Sequence, residues 1–311
     1  MKIGYFGTPE IAAYCLEKLM PSHTISFVVT GEDKPAGRNR LLQSSPVKKT
    51  ALENGIPVLQ PANLKDESFF SEIKKFRADI FVVVAYGKII PDRILYLPEH
   101  KTINLHPSLL PGYRGAAPIQ WALAGGENET GVTIQMVNDR LDSGDILLQK
   151  RIPIDIDMTA EDLYRIVLPA GSGLLIESLR LISEGKATPL PQDESKATYY
   201  GKIERETARV DWNRTSLEIH NLVRGFYPRP CAWSLFRGRN IKILRTSLSG
   251  IKPDAVPAPG FIIKHQKMRL FAGTGDGFIE ILMIQPETKK PMDGLSFING
   301  YRIEDGDSFS N

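Results

Sequence analysis

The amino-acid sequence predicts an α/β protein in which a doubly wound, Rossmann-like parallel sheet is followed by a small OB-like β-barrel domain. The first observation is a strand, turn and helix at the start of the chain. The second is a continuously apolar run over Ile80–Ala85, as expected for a strand that is covered on both faces. The third is a series of short apolar segments, separated by glycine and proline, in the last third of the chain. With 311 residues and 42% hydrophobic composition, the chain is long enough to bury two cores.

Strands and helices are predicted to alternate through the first domain. Lys2–Phe6 is a predicted strand, Gly7-Thr8-Pro9 is a tight turn, and the helix that follows repeats apolar residues at three- and four-residue steps as far as Leu19. Further elements predicted here are strands at Thr24–Thr30, Thr102–His106 and Val132–Val137 and helices at Ala117–Ala124, Ala160–Val167 and Leu174–Glu184. Because helices separate the strands, we expect a parallel sheet with the carboxyl ends of its strands at one edge.

A polar segment separates the two predicted domains. Residues 190–205 include Pro191 and the run Gln192–Ser195, which bury little, and are interpreted as a linker. The linker joins a catalytic domain over 1–189 to a C-terminal β-barrel domain over 206–311. The second domain is predicted to begin with a helix at Ser216–Phe226. Its predicted strands are Ala232–Phe236, Ile241–Arg245, Gly260–Ile263, Arg269–Ala272 and Ile279–Ile284.

The charge of the chain is unevenly distributed. The whole sequence carries +3, whereas residues 201–311 hold 17 Lys and Arg against 12 Asp and Glu, and the part 201–269 holds 14 against 5. The first 200 residues are net negative by difference. A basic excess in the second domain is compatible with a polyanionic partner, although lysine and arginine at this density also serve solubility alone.

Several classes of protein are disfavoured by the sequence. Cys15 and Cys231 form neither a CxxC pair nor a disulfide framework, which favours a reducing cytoplasm. The five histidines are scattered without metal-ligand spacing, and no Gly-x-Gly-x-x-Gly follows the first strand, so neither a metal nor a nicotinamide cofactor is expected. No apolar run approaches the roughly 18–20 residues that a membrane span needs. We expect a cytoplasmic monomer with no membrane partner.

Polar side chains lie where one predicted parallel strand ends. Asn104 and His106 are two residues apart, so both side chains should project from the same face of the strand Thr102–His106, at the edge where open α/β sheets bind ligands. Asp142 follows the predicted strand Val132–Val137. If the two strand ends are neighbours, the carboxylate of Asp142 lies beside the imidazole of His106.

An asparagine, a histidine and an aspartate together suit acyl transfer to an amine. This reaction needs a group that manages the amine proton, donors for the oxyanion of the tetrahedral intermediate, and a group that sets the protonation state of the imidazole. No covalent nucleophile is required. On spacing alone, a strand-end histidine is more often a surface or core residue, and an Asp-Ser-Gly-Asp run is more often a turn, so both interpretations stay open at this point.

A long motif surrounds these residues. Asn104 and His106 are followed by Ser108-Leu109-Leu110-Pro111, Tyr113-Arg114-Gly115-Ala116-Ala117-Pro118, Thr130-Gly131-Val132-Thr133 and Leu141-Asp142-Ser143-Gly144-Asp145. This combination resembles the folate-dependent formyltransferase family. The resemblance implies that Asn104, His106 and Asp142 form a catalytic triad and that the formyl donor is 10-formyltetrahydrofolate, without a metal. It further implies a donor site formed by Ser108, Leu109, Leu110, Pro111, Ala85, Tyr86, Gly87 and Asp145.

Other segments resemble those members of the family that formylate methionyl-initiator tRNA. These segments are Gly7-Thr8-Pro9-Glu10, Asp33–Arg38, Ser45–Lys48, Ala197–Ile203, Ala208–Trp212 and Val223–Trp233. The resemblance implies methionyl-initiator tRNA as the acceptor, and mobile cations suit phosphate contacts. Candidate tRNA contacts are Lys34, Arg38, Arg40, Lys202, Arg209 and Arg224. The basic loop 31–49 is also compatible with a solvated surface loop.

The chain departs from the family pattern at two places. Tyr227-Pro228-Arg229-Pro230 stands where Asn-Pro-Trp-Pro is more usual, and Pro169 falls where a helix usually runs unbroken. Three alternatives remain: the same chemistry on an amino sugar nucleotide or glycinamide ribonucleotide, hydrolysis of the formyl group, and a non-catalytic RNA- or folate-binding module. The basic loop argues for a large RNA acceptor, and an intact Asn104, His106 and Asp142 argues against a binding module.

Overall fold

The computed structural model describes residues 1–36, 41–248, 258–265, 268–304 and 306–310. Its helices are α1 (Glu10–Leu19), α2 (Pro46–Glu53), α3 (Glu67–Lys75), α4 (Asp92–Leu95), α5 (Pro118–Ala124), α6 (Ala160–Ser183), α7 (Ser216–Phe226) and α8 (Gly294–Tyr301). Short 3-10 turns occur at Glu194–Lys196 and Glu206–Ala208.

The strands follow in chain order. They are β1 (Lys2–Gly7), β2 (Thr24–Val29), β3 (Lys34–Ala36), β4 (Leu41–Gln43), β5 (Val58–Leu59), β6 (Ile80–Val84), β7 (Thr102–His106), β8 (Arg114–Gly115), β9 (Glu129–Met136), β10 (Ile146–Pro153), β11 (Tyr199–Tyr200), β12 (Ala232–Phe236), β13 (Arg239–Leu248), β14 (Ile262–His265), β15 (Arg269–Thr274), β16 (Gly277–Pro286), β17 (Met292–Asp293) and β18 (Phe309–Ser310).

These elements form two compact units that interleave along the chain. The first unit holds Met1–Gly115, Gly131–Ile152 and Arg165–Tyr199, and the second holds Ala116–Thr130, Pro153–Tyr164 and the chain from Tyr200 onward. Two stretches that precede the predicted linker therefore belong to the second unit. The domain boundaries 1–189, 190–205 and 206–311 stay a prediction.

The first unit is built on the predicted Rossmann-like sheet. Its strand order is β10-β9-β7-β6-β1-β2-β5, and the pairs β7–β6, β6–β1, β1–β2 and β2–β5 are parallel. An aromatic cluster lies on this sheet, where the ring of Phe6 contacts the rings of Phe27 and Phe81 at centroid distances of 6.2 and 5.2 Å. Burial of both faces explains why β1 and β6 are continuously apolar in sequence.

The strand β9 departs from the predicted pattern. It runs antiparallel to β7, with Asn104 opposite Gln135 and His106 opposite Thr133. The prediction that the strand Val132–Val137 extends the parallel sheet was wrong. Periodicity reports which residues face inward, but it carries no information on the direction of a strand relative to its neighbour.

The helix α6 is unbroken where the sequence predicted two helices. It runs from Ala160 to Ser183 with Pro169 inside it. Proline in a helix interior costs about 3 kcal/mol, but Leu175 and Leu179 are fully buried after the proline, and burial of each contributes about 1.5–3 kcal/mol. A side-chain carbon at Gly171 would lie 3.0 Å from Leu105 Cδ1, so the helix packs closely against the sheet there.

The same helix is the one described segment that is long and apolar enough to cross a membrane. An 18-residue window within it has a mean hydropathy of 1.4. The sequence prediction that no apolar run approaches this length was therefore too strict. Core helices of globular proteins meet the same two conditions, and Leu175 and Leu179 of this helix are fully buried within the structure.

The second unit contains the predicted barrel. Its antiparallel sheet has the order β14-β15-β16-β13-β12-β18, and β17 pairs with β16. An antiparallel bridge between Phe261 and Ser308 joins the two ends of this order, so the sheet is nearly closed. The interior is apolar and includes Trp212, whose ring stacks on Phe309 at 5.3 Å between centroids. The predicted fold class, a Rossmann-like sheet with a barrel-like C-terminal part, is confirmed.

Candidate active site

Asn104 and His106 lie at the carboxyl end of β7, as predicted from their spacing. The strand is held by β6 on one side and β9 on the other. His106 is 4% exposed, whereas Asn104 is half-buried. Because the two residues are two positions apart in a regular strand, their side chains share one face.

Asp142 lies beside His106, but by a different route from the predicted one. The carboxyl ends of β7 and β9 lie at opposite edges of the sheet, because the two strands are antiparallel. Instead, the chain turns back after β9, and Asp142 adopts a positive φ of 49° in the returning loop. Its Oδ2 lies 3.6 Å from Nδ1 of His106. The loop also passes very close to β9, since a side-chain carbon at Gly144 would lie 1.7 Å from the carbonyl oxygen of Met136.

Two donors fix the carboxylate of Asp142. The backbone N–H of Gly115 donates to Oδ2 at 2.8 Å, and Nε2 of Gln135 donates to Oδ1 at 3.2 Å. These two hydrogen bonds hold the carboxylate of Asp142 in a fixed position that faces the ring of His106.

The second ring nitrogen of His106 also faces an acceptor. Nε2 lies 2.8 Å from the carbonyl oxygen of Tyr113, and a carbonyl can only accept, so Nε2 carries a proton in this arrangement. Nδ1 faces Asp142. At 3.6 Å the contact between Nδ1 and Asp142 is longer than a hydrogen bond, so the carbonyl of Tyr113 orients the ring while its other nitrogen faces the carboxylate.

The amide of Asn104 remains available for a substrate. It has no hydrogen-bond partner among the residues that the structure describes, although its backbone lies within the paired strand. An unpaired amide at this strand end is suited to an oxyanion, because its N–H groups can donate to a developing negative charge.

The predicted donor loop Ser108–Pro111 is held in place by polar contacts. Thr133 Oγ1 donates to the carbonyl of Ser108 at 2.7 Å and accepts from the backbone N–H of Leu110 at 3.2 Å, and Gln149 Nε2 donates to the carbonyl of Leu110 at 2.8 Å. The hydroxyl of Ser108 donates to the carbonyl of Gly112 at 2.7 Å. This hydroxyl is therefore engaged within the loop itself.

We expect Thr133→Val to destabilise the first unit. Valine keeps the branched shape but removes the fully buried hydroxyl, so the N–H of Leu110 and the carbonyl of Ser108 lose their partner. An unsatisfied buried group costs about 1–3 kcal/mol, and the free energy of unfolding should fall by about 2 kcal/mol in a urea titration. The control Thr133→Ser keeps the hydroxyl and should lose less than half as much. Equal losses in the two variants would contradict a role for the hydroxyl.

The other predicted donor-site residues differ in accessibility. Tyr86 is buried against Phe6 at 5.6 Å between ring centroids, and burial raises the pKa of its phenol to about 12. Its ring is thus part of the core, and the flanking residues Ala85 and Gly87 both have positive φ. Asp145 is exposed, and its carbonyl accepts from the N–H of Met136 at 2.8 Å.

The predicted RNA contacts divide into three groups. Lys34 is exposed on β3, and Lys202 and Arg209 are exposed in the second unit, where Arg209 lies over the ring of Trp233 at 5.2 Å. Arg38 and Arg40 lie outside the described residues. Arg224, in contrast, is 4% exposed, and its guanidinium donates to Asn221 Oδ1 at 2.8 Å and to the carbonyl of Asp155 at 3.0 Å. Its place inside α7 weighs against direct contact with RNA.

Sequence reasoning missed a set of polar residues that surround Asp142. Gln135, Arg114 and Gln192 were not predicted as site residues, and Gln192 was assigned to the linker. The sequence did contain a signal for Gln135, because it is a polar residue in the largely apolar predicted strand Val132–Val137. In the structure Gln135 is 2% exposed. Nothing local to Gln192 distinguishes it from its exposed neighbours.

The described residues offer no metal centre. Among them, no group of three or more His, Cys, Asp or Glu side chains is placed to hold a metal ion.

Comparisons with known proteins cover nearly the whole chain. The family model described as "Formyl transferase" matches residues 1–179, and that described as "Formyl transferase, C-terminal domain" matches residues 202–302. The methionyl-tRNA formyltransferase of Thermodesulfovibrio yellowstonii is 45% identical over 308 residues, which cover 98% of each chain. That of Leptospira interrogans serovar copenhageni is 42% identical over 315 residues, which cover 99% of this chain and 100% of the relative.

A solved structure supports the fold. The N-formyltransferase from Helicobacter canadensis, in complex with folinic acid and dTDP-3-aminofucose, superimposes with a TM-score of 0.69. It shares 22% sequence identity and covers 92% of this chain and 99% of its own. At this identity the likeness concerns the fold alone.

Proposed function

Since this chain belongs to the formyl transferase family, we propose that it transfers the formyl group of 10-formyltetrahydrofolate to the free amino group of methionyl-initiator tRNA. Full-length relatives with 42–45% identity are named methionyl-tRNA formyltransferases. The observation that carries the chemistry is the ordered pair of His106 and Asp142 beside the unpaired amide of Asn104. The product is N-formylmethionyl-tRNA, the substrate for initiation of translation.

The proposed reaction has three steps: attack of the acceptor amine on the formyl group, formation of an oxyanion, and departure of the folate amine. The uncharged α-amine of the aminoacyl ester attacks the formyl carbon, and a carbon–nitrogen bond forms as the carbonyl oxygen becomes an oxyanion. The amide of Asn104 donates a hydrogen bond to the oxyanion, and a protonated His106 stabilises it through its positive charge. The intermediate collapses as the bond between the formyl carbon and N10 breaks. N10 takes up a proton from His106 or from a bound water, and the attacking nitrogen gives its proton to the imidazole or water that has just lost one.

Asp142 acts on the imidazole. Its carboxylate faces Nδ1 of His106 and fixes the orientation of the ring, while Gly115 and Gln135 fix the carboxylate itself. This division of roles makes Asn104 and His106 the groups that touch the reacting atoms. We assign Asp142 to the same triad as the group that orients His106.

The folate donor is assigned to the loop Ser108–Pro111 and the strand end at Ala85–Gly87. The loop is fixed by Thr133 and Gln149, so it offers a preformed wall beside His106. Gly87 has no side chain and an open surrounding, so the backbone there can lie close to a flat ring. Asp145 is exposed at the end of the loop that carries Asp142 and is included in this assignment.

The RNA acceptor is assigned to cations on both units. Lys34, Arg38 and Arg40 would meet phosphates from the first unit, and Lys202 and Arg209 from the second. Support comes from the ring of Trp233, which lies beneath Arg209 at 5.2 Å and Arg205 at 4.9 Å, since basic and aromatic groups together suit an unpaired RNA end. Arg224 is left out of this set because it is buried.

We expect loss of Lys202 and Arg209 to weaken tRNA binding without touching the chemistry. The double variant Lys202→Ala and Arg209→Ala should raise KM for methionyl-tRNA about 10-fold in low salt and leave KM for the folate unchanged. The slope of log(kcat/KM) against log of salt concentration should fall by roughly one for each lost phosphate contact. The control Arg180→Ala removes an exposed arginine that pairs with Glu177 and Glu184. A similar effect in this control would contradict the assignment.

The reaction and the acceptor are tested in one assay. Transfer of labelled formyl from 10-formyltetrahydrofolate is measured with methionyl-initiator tRNA, free methionine and an amino sugar nucleotide, with His106→Ala as the blank. Formylation of the charged tRNA alone supports the proposal. Formylation of the sugar amine alone would keep the triad and overturn the RNA acceptor, and release of formate without an acceptor would indicate a hydrolase.

Cellular placement follows from the same assignment. An enzyme of translation initiation belongs in the cytoplasm, and we propose that this chain acts there as a monomer without a membrane partner.

A further inference from the structure

Arg114 is a fully buried arginine close to the active site. It is 0% exposed, and Glu194 accepts from both terminal nitrogens, with distances of 3.0 Å to Oε2 and 2.9 Å to Oε1. Tyr199 places its hydroxyl 2.6 Å from Nη1. These hydrogen bonds raise the pKa of Arg114 and lower that of Glu194. Burial of a guanidinium without such partners is energetically unfavourable. Glu194 and Tyr199 therefore hold the side chain of Arg114 in one position.

The backbone on either side of Arg114 touches the catalytic pair. The carbonyl of Tyr113 lies 2.8 Å from Nε2 of His106, and the N–H of Gly115 donates to Oδ2 of Asp142 at 2.8 Å. Both contacts depend on where the three-residue segment 113–115 lies. The side chain that anchors this segment is Arg114.

Gln192 joins the same anchor to the loop of Asp142. Its Oε1 accepts from Nη2 of Arg114 at 2.7 Å and from Nε at 3.2 Å. Its Nε2 lies 2.9 Å from the carbonyl of Asp142, 2.7 Å from that of Gly144 and 3.2 Å from Oε1 of Gln135. One side chain therefore contacts the anchor, the returning loop and the second donor to the Asp142 carboxylate.

We propose that Arg114 and Gln192 are positioning residues for formyl transfer, which hold segment 113–115 and the loop of Asp142 in register with His106. The proposal rests on the proposed function. Neither side chain needs to touch a substrate. The polar segment around Gln192, interpreted from sequence as a linker, is on this view part of the catalytic apparatus of the first unit.

The expected signature is a loss in kcat with little change in KM. A misplacement of about 1 Å can cost a rate factor near 10². We therefore expect Gln192→Ala to lower kcat about 10- to 100-fold and to leave both KM values within about threefold. Arg114 keeps Glu194 and Tyr199 in this variant, so the fold should persist.

A conservative variant separates the contact of Gln192 with Arg114 from its contact with the loop of Asp142. Gln192→Glu retains an oxygen for Arg114 but replaces the donor that faces the carbonyls of Asp142 and Gly144 by a second oxygen. We expect it to lose at least as much kcat as Gln192→Ala. Full activity in Gln192→Glu would overturn the role of the loop contact. The matched control is Asp193→Ala, because Asp193 is exposed and, among the residues that the structure describes, its side chain bonds to Ser195 and Lys196 within its own turn.

The decisive measurement is a double-mutant cycle with Asp142→Ala. If Gln192 acts through Asp142, Gln192→Ala should cost less than threefold in kcat once Asp142 is already alanine. Independent, multiplicative losses would overturn the proposal, as would a thermal midpoint that falls in proportion to activity. Failure of the proposed function shows separately, as a wild-type protein that prefers another amine. The cycle is then measured with that amine.

Discussion

Replacing His106 with alanine is expected to lower kcat by about 10²–10⁴, the range over which a positioned acid or base contributes. The variant removes a group that contacts both Tyr113 and Asp142 and leaves the carboxylate of Asp142 with Gly115 and Gln135 but without the imidazole. KM for the folate should change little, because the donor loop is held by Thr133 and Gln149 and not by the imidazole. Single-turnover transfer of labelled formyl measures the chemical step.

Two controls belong to this experiment. Added imidazole should restore part of the activity, since the variant leaves space at the position of the ring. His100→Ala removes a half-buried histidine from the same unit and should leave kcat within twofold. Turnover of His106→Ala within tenfold of wild type would contradict the proposal that His106 stabilises the oxyanion.

Replacing Asn104 with alanine is expected to lower kcat by about 10²–10³, which corresponds to the loss of one oxyanion donor. The amide has no partner among the described residues, so its removal disturbs no internal contact and should leave the thermal midpoint within about a degree. A fall in kcat at constant stability therefore isolates the catalytic role. Initial rates at saturating donor and acceptor give kcat, and calorimetry gives the midpoint.

An isosteric change sharpens the result. Asn104→Asp keeps the size of the side chain but replaces the N–H donor by a charged oxygen, which repels the oxyanion. We expect it to be at least as impaired as Asn104→Ala. If Asn104→Ala kept activity within a few fold, or if Asn104→Asp were the more active of the two, the amide would have no part in stabilising the intermediate.

Much of the fold could be predicted from local patterns. The strands β7 and β12 and the helix α7 agree with the sequence prediction at both ends. Their limits are set by features within a few residues, such as the capping box in which Thr215 and Glu218 begin α7. The interruption predicted at Pro169 failed because burial of the following turns outweighs a local penalty.

Part of the candidate site could also be predicted from local patterns, and part could not. Placement of Asn104 and His106 on one face follows from strand geometry, and Asp142 was found from its motif. The path of the chain that brings Asp142 to His106 could not be predicted. It depends on the antiparallel pairing of β9 with β7 and on the loop that turns back after β9. Burial of Arg224 also escaped prediction, since its backbone partner Asp155 is 69 residues away.

The sequence by itself determined which residue types face which way within each strand and helix, because alternation and helical periodicity are properties of neighbouring peptide units. It also determined the chemical groups available to the site. Tertiary structure alone decided the direction of β9, the return of Asp142 to His106 and the anchor of Arg114 on Glu194, which are 80 residues apart. These contacts join residues whose separation is set by the packing of the whole unit, and no local pattern encodes that distance.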